Sequence, residues 1–171
     1  TKDKIDEFDS YLDLKLATVF RFNEEKNIPT TSTLNKKRSN VFGQFGFTPS
    51  KNFSLDYNFS LTNDLNELEY NSIVTSGSYK NFNTQFEYVE ERGTIGDLNT
   101  IENISSYNFN PYNSLSFKTR KDLKQNLTEY YDLLYEYKND CLVASLRYKK
   151  NYYSDADIKP LEELFFSITI I

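Results

Sequence analysis

Phe53, Leu55, Tyr57, Phe59 and Leu61 alternate strictly with Ser54, Asp56, Asn58, Ser60 and Thr62. A period of two puts every second side chain on the same side of an extended backbone. These residues therefore make a strand with one apolar and one polar face, an order that a helix would scatter around its axis. The same period recurs along nearly the whole chain, and it constrains the fold more than any other feature.

Nine further runs follow this rule. In residues 11 to 22, Leu12, Leu14, Leu16, Thr18, Phe20 and Phe22 fall opposite Tyr11, Asp13, Lys15, Ala17, Val19 and Arg21. A weaker run over about 39 to 47 sets Val41, Phe45 and Phe47 against Asn40 and Gln44, and Gly43 and Gly46 soften it. After the strict run come Leu68, Tyr70 and Val74 on one side of a fourth, then Phe82, Phe86 and Tyr88 of a fifth. The sixth carries Ile101, Tyr107 and Phe109, and the seventh carries Leu115 and Phe117 with a charged far end, Lys118 to Lys124. The eighth gathers Leu127, Tyr131, Leu133, Tyr135 and Tyr137 opposite Thr128, Asp132 and Glu136. The ninth gathers Leu142, Ala144, Leu146 and Tyr148 opposite Cys141, Ser145, Arg147 and Lys149. The tenth sets Leu164, Phe166, Ile168 and Ile170 opposite Phe165, Ser167 and Thr169.

Composition narrows what such strands can build. Hydrophobic content is 38 %, mean hydropathy is -0.66, and the apolar set is heavy in its 14 Tyr and 14 Phe. That is too polar for an ordinary packed interior and too aromatic for a disordered chain. It suits sheets with one greasy and one wet face. The net charge of -5 leaves no basic footprint for nucleic acid. No apolar run approaches the ~18 residues of a spanning helix, and no signal peptide opens the chain. The 171 residues are expected to form a single domain, 1–171. The absence of methionine and a start at Thr1 inside a charged run suggest a segment cut from a longer protein.

With no histidine, Ser-His-Asp and Cys-His catalysis and most zinc sites lose their central residue. One cysteine makes neither an internal disulfide nor a CxxC site. No catalytic residue, metal set or cofactor is therefore expected, and the chain does not read as an enzyme.

The connections alternate in length. Those near 48–52, 79–81, 110–113 and 138–140 are short, and those at 23–38, 90–99 and 153–160 are long and polar. Those at 63–66 and 122–126 are intermediate. Every second connection is tight, as in an up-and-down antiparallel meander of about ten strands. Strands of ~9–11 residues, dyad alternation, aromatics near strand ends and two unlike rims describe a transmembrane β-barrel, with short turns toward the periplasm. The last strand then runs inward, leaving the C-terminus and Cys141 at the periplasmic rim. A soluble sandwich burying the same faces shares the alternation; the wide polar face, the aromatic excess and the unlike rims favour the membrane.

Several residues invite a chemical reading. Asp155 and Asp157 lack the third ligand and loop glycine of a calcium site and read as a solvated loop. Asn58, Asn103 and Asn126 open glycosylation triplets that an asparagine-rich chain produces by chance. Asp13, Lys15, Arg21, Asp56 and Arg147 fall on wet faces, either as lining of a hydrated lumen or as a track for a polar cargo. Cys141 is either an inert thiol or one paired outside this segment, since a free thiol at an oxidising rim is a liability.

The closing stretch YEYKNDCLVASLRYKKNYYSDADIKPLEELFFSITI resembles the C-terminal end of the outer-membrane LPS-assembly family LptD (OstA), in its alphaproteobacterial form. The matching features are Tyr135-Glu136-Tyr137, Asp140-Cys141-Leu142, Tyr148, Tyr153 through Ile158 with Pro160, and Leu164-Phe165-Phe166. Residues Phe53 to Tyr88 match in strand pattern only, and the first 50 add nothing. The resemblance implies that the ten strands are the C-terminal segment of a larger barrel in the Gram-negative outer membrane. It implies a protein that inserts lipopolysaccharide into the outer leaflet through a lateral seam. One wall of that seam is the last strand, Leu164, Phe165, Phe166, Ser167, Ile168, Thr169 and Ile170. The implied partners are lipopolysaccharide, a plug lipoprotein in the lumen and a periplasmic transport bridge. Cys141 stands where the family forms disulfides to its N-terminal domain, although Asp140 stands where some members carry a second cysteine. The alternative is a self-contained ten-stranded barrel, porin-like or adhesin-like, or a barrel hydrolase.

Overall fold

A computed structural model of the chain describes residues 10–29, 33–93, 96–152 and 159–170. The strands are β1 (Tyr11–Ala17), β2 (Val41–Ser50), β3 (Phe53–Leu61), β4 (Leu68–Tyr79) and β5 (Phe82–Glu91). They continue with β6 (Asn99–Asn110), β7 (Asn113–Asp122), β8 (Leu127–Lys138), β9 (Leu142–Asn151) and β10 (Leu161–Ile170). Among the described residues there is no α-helix, only a 3₁₀ turn at Thr33–Asn35. All ten strands join one sheet in sequence order, each antiparallel to its neighbour. The sheet is open: among the described residues β1 and β10 do not pair with each other. It is an all-β, up-and-down barrel segment.

Register assigns the faces, because directly paired residues of an antiparallel sheet lie on the same side. Leu12, Phe47, Leu55 and Thr75 line up across β1 to β4 on the apolar face. Asp13, Gly46, Asp56 and Val74 line up on the other. The apolar face holds no core. Among the described residues no hydrophobic side chain is buried, while Ser39, Asn40, Ser60, Glu69, Asn71, Ser72 and Thr100 are. A soluble sandwich covers its apolar face with a second layer, whereas here, among the described residues, each strand meets only its sequence neighbours. That inversion is what a membrane barrel wall shows when lipid is its apolar solvent.

Four sequence expectations change in detail. The run over 11 to 22 stays a strand only as far as Ala17; beyond it Phe20 forms a single bridge to Arg38. The second run reaches Ser50, so Pro49 lies inside β2, at the register shift between Phe47 and Ser50. A shift of this kind tolerates a residue with no N–H to give. Leu68 and Tyr70 do not share a face, because a bulge inserts Glu69 between the pairs Leu68↔Leu61 and Tyr70↔Ser60. A second bulge at Glu129 likewise sets Leu127 opposite Tyr131. Both bulges sit at the long-connection rim.

The glycines of β2 are covered rather than weak. The Phe59 ring lies across Gly43, so close that a Cβ there would stand 2.1 Å from it. On the polar face Asp13 leans over Gly46, with its Oδ1 2.2 Å from where a Cβ would be.

Candidate functional site

The polar face divides into two regions. Toward the short-turn rim of β3 to β6 it is largely uncharged. There Ser54, Asp56, Ser76, Asn83, Gln85 and Ser106 line an open hollow of about 570 Å³. Asp13 and Asp56 flank Gly46 from β1 and β3, and Lys15 Nζ reaches Asp13 at 3.5 Å. The absent side chain of Gly46 lets the two carboxylates close on one point from strands that are not neighbours.

Across β6 to β9 the same face carries a ladder of opposite charges. Lys118 Nζ lies 3.1 Å from Glu102, Arg120 pairs with Glu129, and Arg147 grips Asp132 with both Nε and Nη2. The Tyr130 hydroxyl donates to Glu102, while Lys118 and Arg120 stand 5.8 and 5.9 Å from its ring centre. Lys149 faces Asp132 on one side and Glu163 on the other by register. Each ion is thus matched across a strand boundary, which makes the wall polar without making it strongly anionic or cationic. Beyond the strands, the Thr62 hydroxyl beside Asp64 holds that carboxyl below its ordinary range.

Of the five polar residues expected from alternation, Asp13, Lys15, Asp56 and Arg147 sit on the polar face. The structure brings Asp13, Lys15 and Asp56 together and sets Arg147 apart in the ladder. Arg21 lies past the end of β1, where its N–H donates to Lys37 O at 2.7 Å. Glu102, Lys118, Arg120, Tyr130, Asp132 and Lys149 escaped the sequence reading as a group. Their shared face is legible from Lys118 and Arg120, two apart, and from Arg147 and Lys149, two apart; their pairing needs the register.

Cys141 closes the three-residue turn from β8 to β9, and its thiol is exposed. Asn139 Oδ1 accepts from the N–H groups of Cys141 (3.0 Å) and Leu142 (2.8 Å), fixing the turn by its own side chain. Among the described residues no strand pairs with the outer edge of β10, and on its apolar face Leu164, Phe166 and Ile170 are 69, 69 and 83 % exposed. On its inner side β10 is held by the full ladder to β9, where Ser167 and Ser145 also share a hydroxyl contact of 2.8 Å. Asn58 lies in β3 and Asn103 in β6, where the Asn103 amide donates to Thr84 and to the Gln85 carbonyl. Asp155 and Asp157, with Tyr153 to Ile158, lie outside the described residues.

No curated protein matches the chain. One protein-family model does: LptD, LPS transport system D, over residues 3–105. That span takes in residues 3–50, which add nothing to the resemblance, and stops short of the closing hairpins that carry it. The two likenesses rest on different residues and point the same way. With the match covering more than half of the sequence, the chain belongs to the LptD family.

Proposed function

The family serves LPS transport at the outer membrane, and we propose how this sheet takes part. The carrying observation is the inverted wall: among the described residues the buried side chains are polar, no hydrophobic one is buried, and the outer edge of β10 has no partner strand. Lipid acyl chains are compatible with the apolar face and a hydrated head group with the other. A strand edge that is only weakly paired is where an amphiphile can pass between the two without crossing hydrocarbon with its polar part. β10, through Leu164, Phe165, Phe166, Ser167, Ile168, Thr169 and Ile170, forms one lip of that lateral passage. Asp13, Lys15, Asp56 and Arg147 line the hydrated side, and Arg21 stands at its long-connection mouth. A plug lipoprotein in the lumen and a periplasmic bridge complete the route. Against a self-contained ten-stranded barrel stands the missing β1–β10 pairing, which closure requires.

Cys141, exposed at the short-turn rim, pairs with a cysteine outside these 171 residues. Photo-crosslinking tests the passage. A photoreactive residue at Phe165 or Ser167 of the intact protein is expected to capture lipopolysaccharide in cells, whereas one at Val74, mid-sheet on the same polar face, captures little. Equal capture at all three positions sinks the proposal. Native membranes test the thiol: Cys141 resists alkylation until a reductant is added, and ready labelling beforehand refutes the bridge.

A further inference from the structure

The connection between β1 and β2, residues 18–40, differs in charge from the rest of its rim. It holds Arg21, Lys26, Lys36, Lys37 and Arg38 against Glu24 and Glu25, inside a chain of net charge -5. The neighbouring connections carry no such excess: 62–67 brings Asp64 and Glu67, 92–98 sets Arg92 against Asp97, and 123–126 brings Lys124 alone. All five cations are exposed, and none forms an ion pair among the described residues.

This connection is built rather than loose at its base. Ser39 N–H donates to Val19 O (2.9 Å), Arg21 N–H to Lys37 O (2.7 Å) and Glu25 N–H to Asn35 O (3.0 Å), so the hairpin continues past the sheet as an arm. Its root is pinned by buried Ser39 and Asn40, with Asn40 donating to Ser60 (3.2 Å) and to Glu69. The ladder holds Lys37 and Arg38 alongside Phe20 and Arg21. There Phe20 is 72 % exposed and Phe22 99 %. The arm also follows directly on Leu12, Leu14 and Leu16, the bare apolar stripe of β1.

Bare aromatic rings beside cations that pair with no described carboxylate, continuous with a lipid-facing stripe, are the makings of an interfacial anchor on an anionic bilayer. We propose that this arm docks on the anionic lipid surface beside the barrel wall. Phe20 and Phe22 enter the head-group boundary, and Arg21, Lys26, Lys36, Lys37 and Arg38 hold lipid phosphates. The assignment rests on the reading of the sheet as an outer-membrane wall with its long connections outward. An acidic soluble partner would satisfy the cations but leave the phenylalanines and the stripe of β1 without a reason to adjoin them.

The test uses the intact outer-membrane protein, reconstituted in phosphatidylcholine vesicles with or without phosphatidylglycerol, with brominated lipid as quencher. These 171 residues contain no tryptophan, so Phe22→Trp adds a signal read as the difference from the unsubstituted protein. Quenching is expected to be stronger in the anionic vesicles, to fall at high salt and to be indifferent to free inorganic phosphate. Replacing the five cations with Gln in the Phe22→Trp background should weaken the anionic preference by at least about tenfold. Equal quenching in both vesicles, none in either, or quenching that depends on an added protein overturns the proposal. The heat-modifiable mobility of the barrel separates the two failures: if it persists, only the docking is wrong, and if it is lost, the wall reading falls as well.

Discussion

Phe59 lying across Gly43 shows how one residue on β3 completes the strand beside it. On the apolar face β2 offers a glycine where its neighbours offer large side chains, and the ring fills that gap from the side. Covering a strand glycine with a cross-strand aromatic is a known device for pinning register. Gly43→Val drives a branched side chain into the ring and should destabilise the folded protein by about 1–3 kcal/mol. Gly43→Val combined with Phe59→Ala should recover part of that loss, since the ring is what the new methyls meet. Urea unfolding of the reconstituted protein reads both, and a single substitution without cost refutes the contact. Nothing in the order of residues discloses this pairing. Alternation says that Gly43 and Phe59 each point to the apolar side, but not that their strands meet at those positions. The same holds for Gly46, whose neighbours Asp13 and Asp56 are far apart in sequence and adjacent in the sheet.

At the level of strands, alternation was legible wherever a strand runs without interruption, and it failed where a bulge inserts a residue. Phe53 to Leu61, Phe82 to Tyr88 and Leu142 to Tyr148 keep the faces that their period assigns. Leu68 and Leu127 do not, because Glu69 and Glu129 shift the phase by one. A one-residue shift moves every following side chain to the other face, and neither glutamate announces itself as a bulge. Both carboxylates have partners close by, Asn40 for Glu69 and Arg120 for Glu129, which hold the extra residue in place. The charge ladder is a second feature that belongs to strands in register. Arg147 grips Asp132 in two bonds across β8 and β9, with the arginine half exposed. Solvent screening limits such a pair, so a double-mutant cycle of Arg147→Ala and Asp132→Ala should give a coupling of about 0.2–1 kcal/mol. Denaturant titration of the four proteins measures it, and a coupling indistinguishable from zero removes the pair from the account of the wall. The closing hairpins illustrate the limit of resemblance as well: they pointed to the family, while the family match itself falls on residues 3–105.

For the whole sheet the two questions are what its edges meet and what its apolar face meets. β1 and β10 each leave one row of backbone N–H and C=O groups without a partner among the described residues. Exposed edges of that kind recruit other strands. The 171 residues produced alone should therefore associate instead of closing, and a monodisperse, heat-modifiable ten-strand barrel would count decisively against the open sheet. The apolar face admits a sharper test, because β5 presents opposite environments at adjacent positions. Phe86 lies on the apolar face between Thr75 and Asn103, and Glu87 on the polar face between Val74 and Glu102. If lipid is the solvent of the first face, an arginine there must enter hydrocarbon, which costs about 2–4 kcal/mol at the bilayer midplane. Phe86→Arg should accordingly cut the yield of correctly assembled protein in the outer membrane. Glu87→Arg places the same side chain one residue on, opposite the carboxylate of Glu102, and should assemble as well as the parent. Assembly yield read from the heat-modifiable band decides between the faces. Equal tolerance at both positions would mean that water reaches the phenylalanine side, and a loss confined to Glu87→Arg would mean that the faces are reversed.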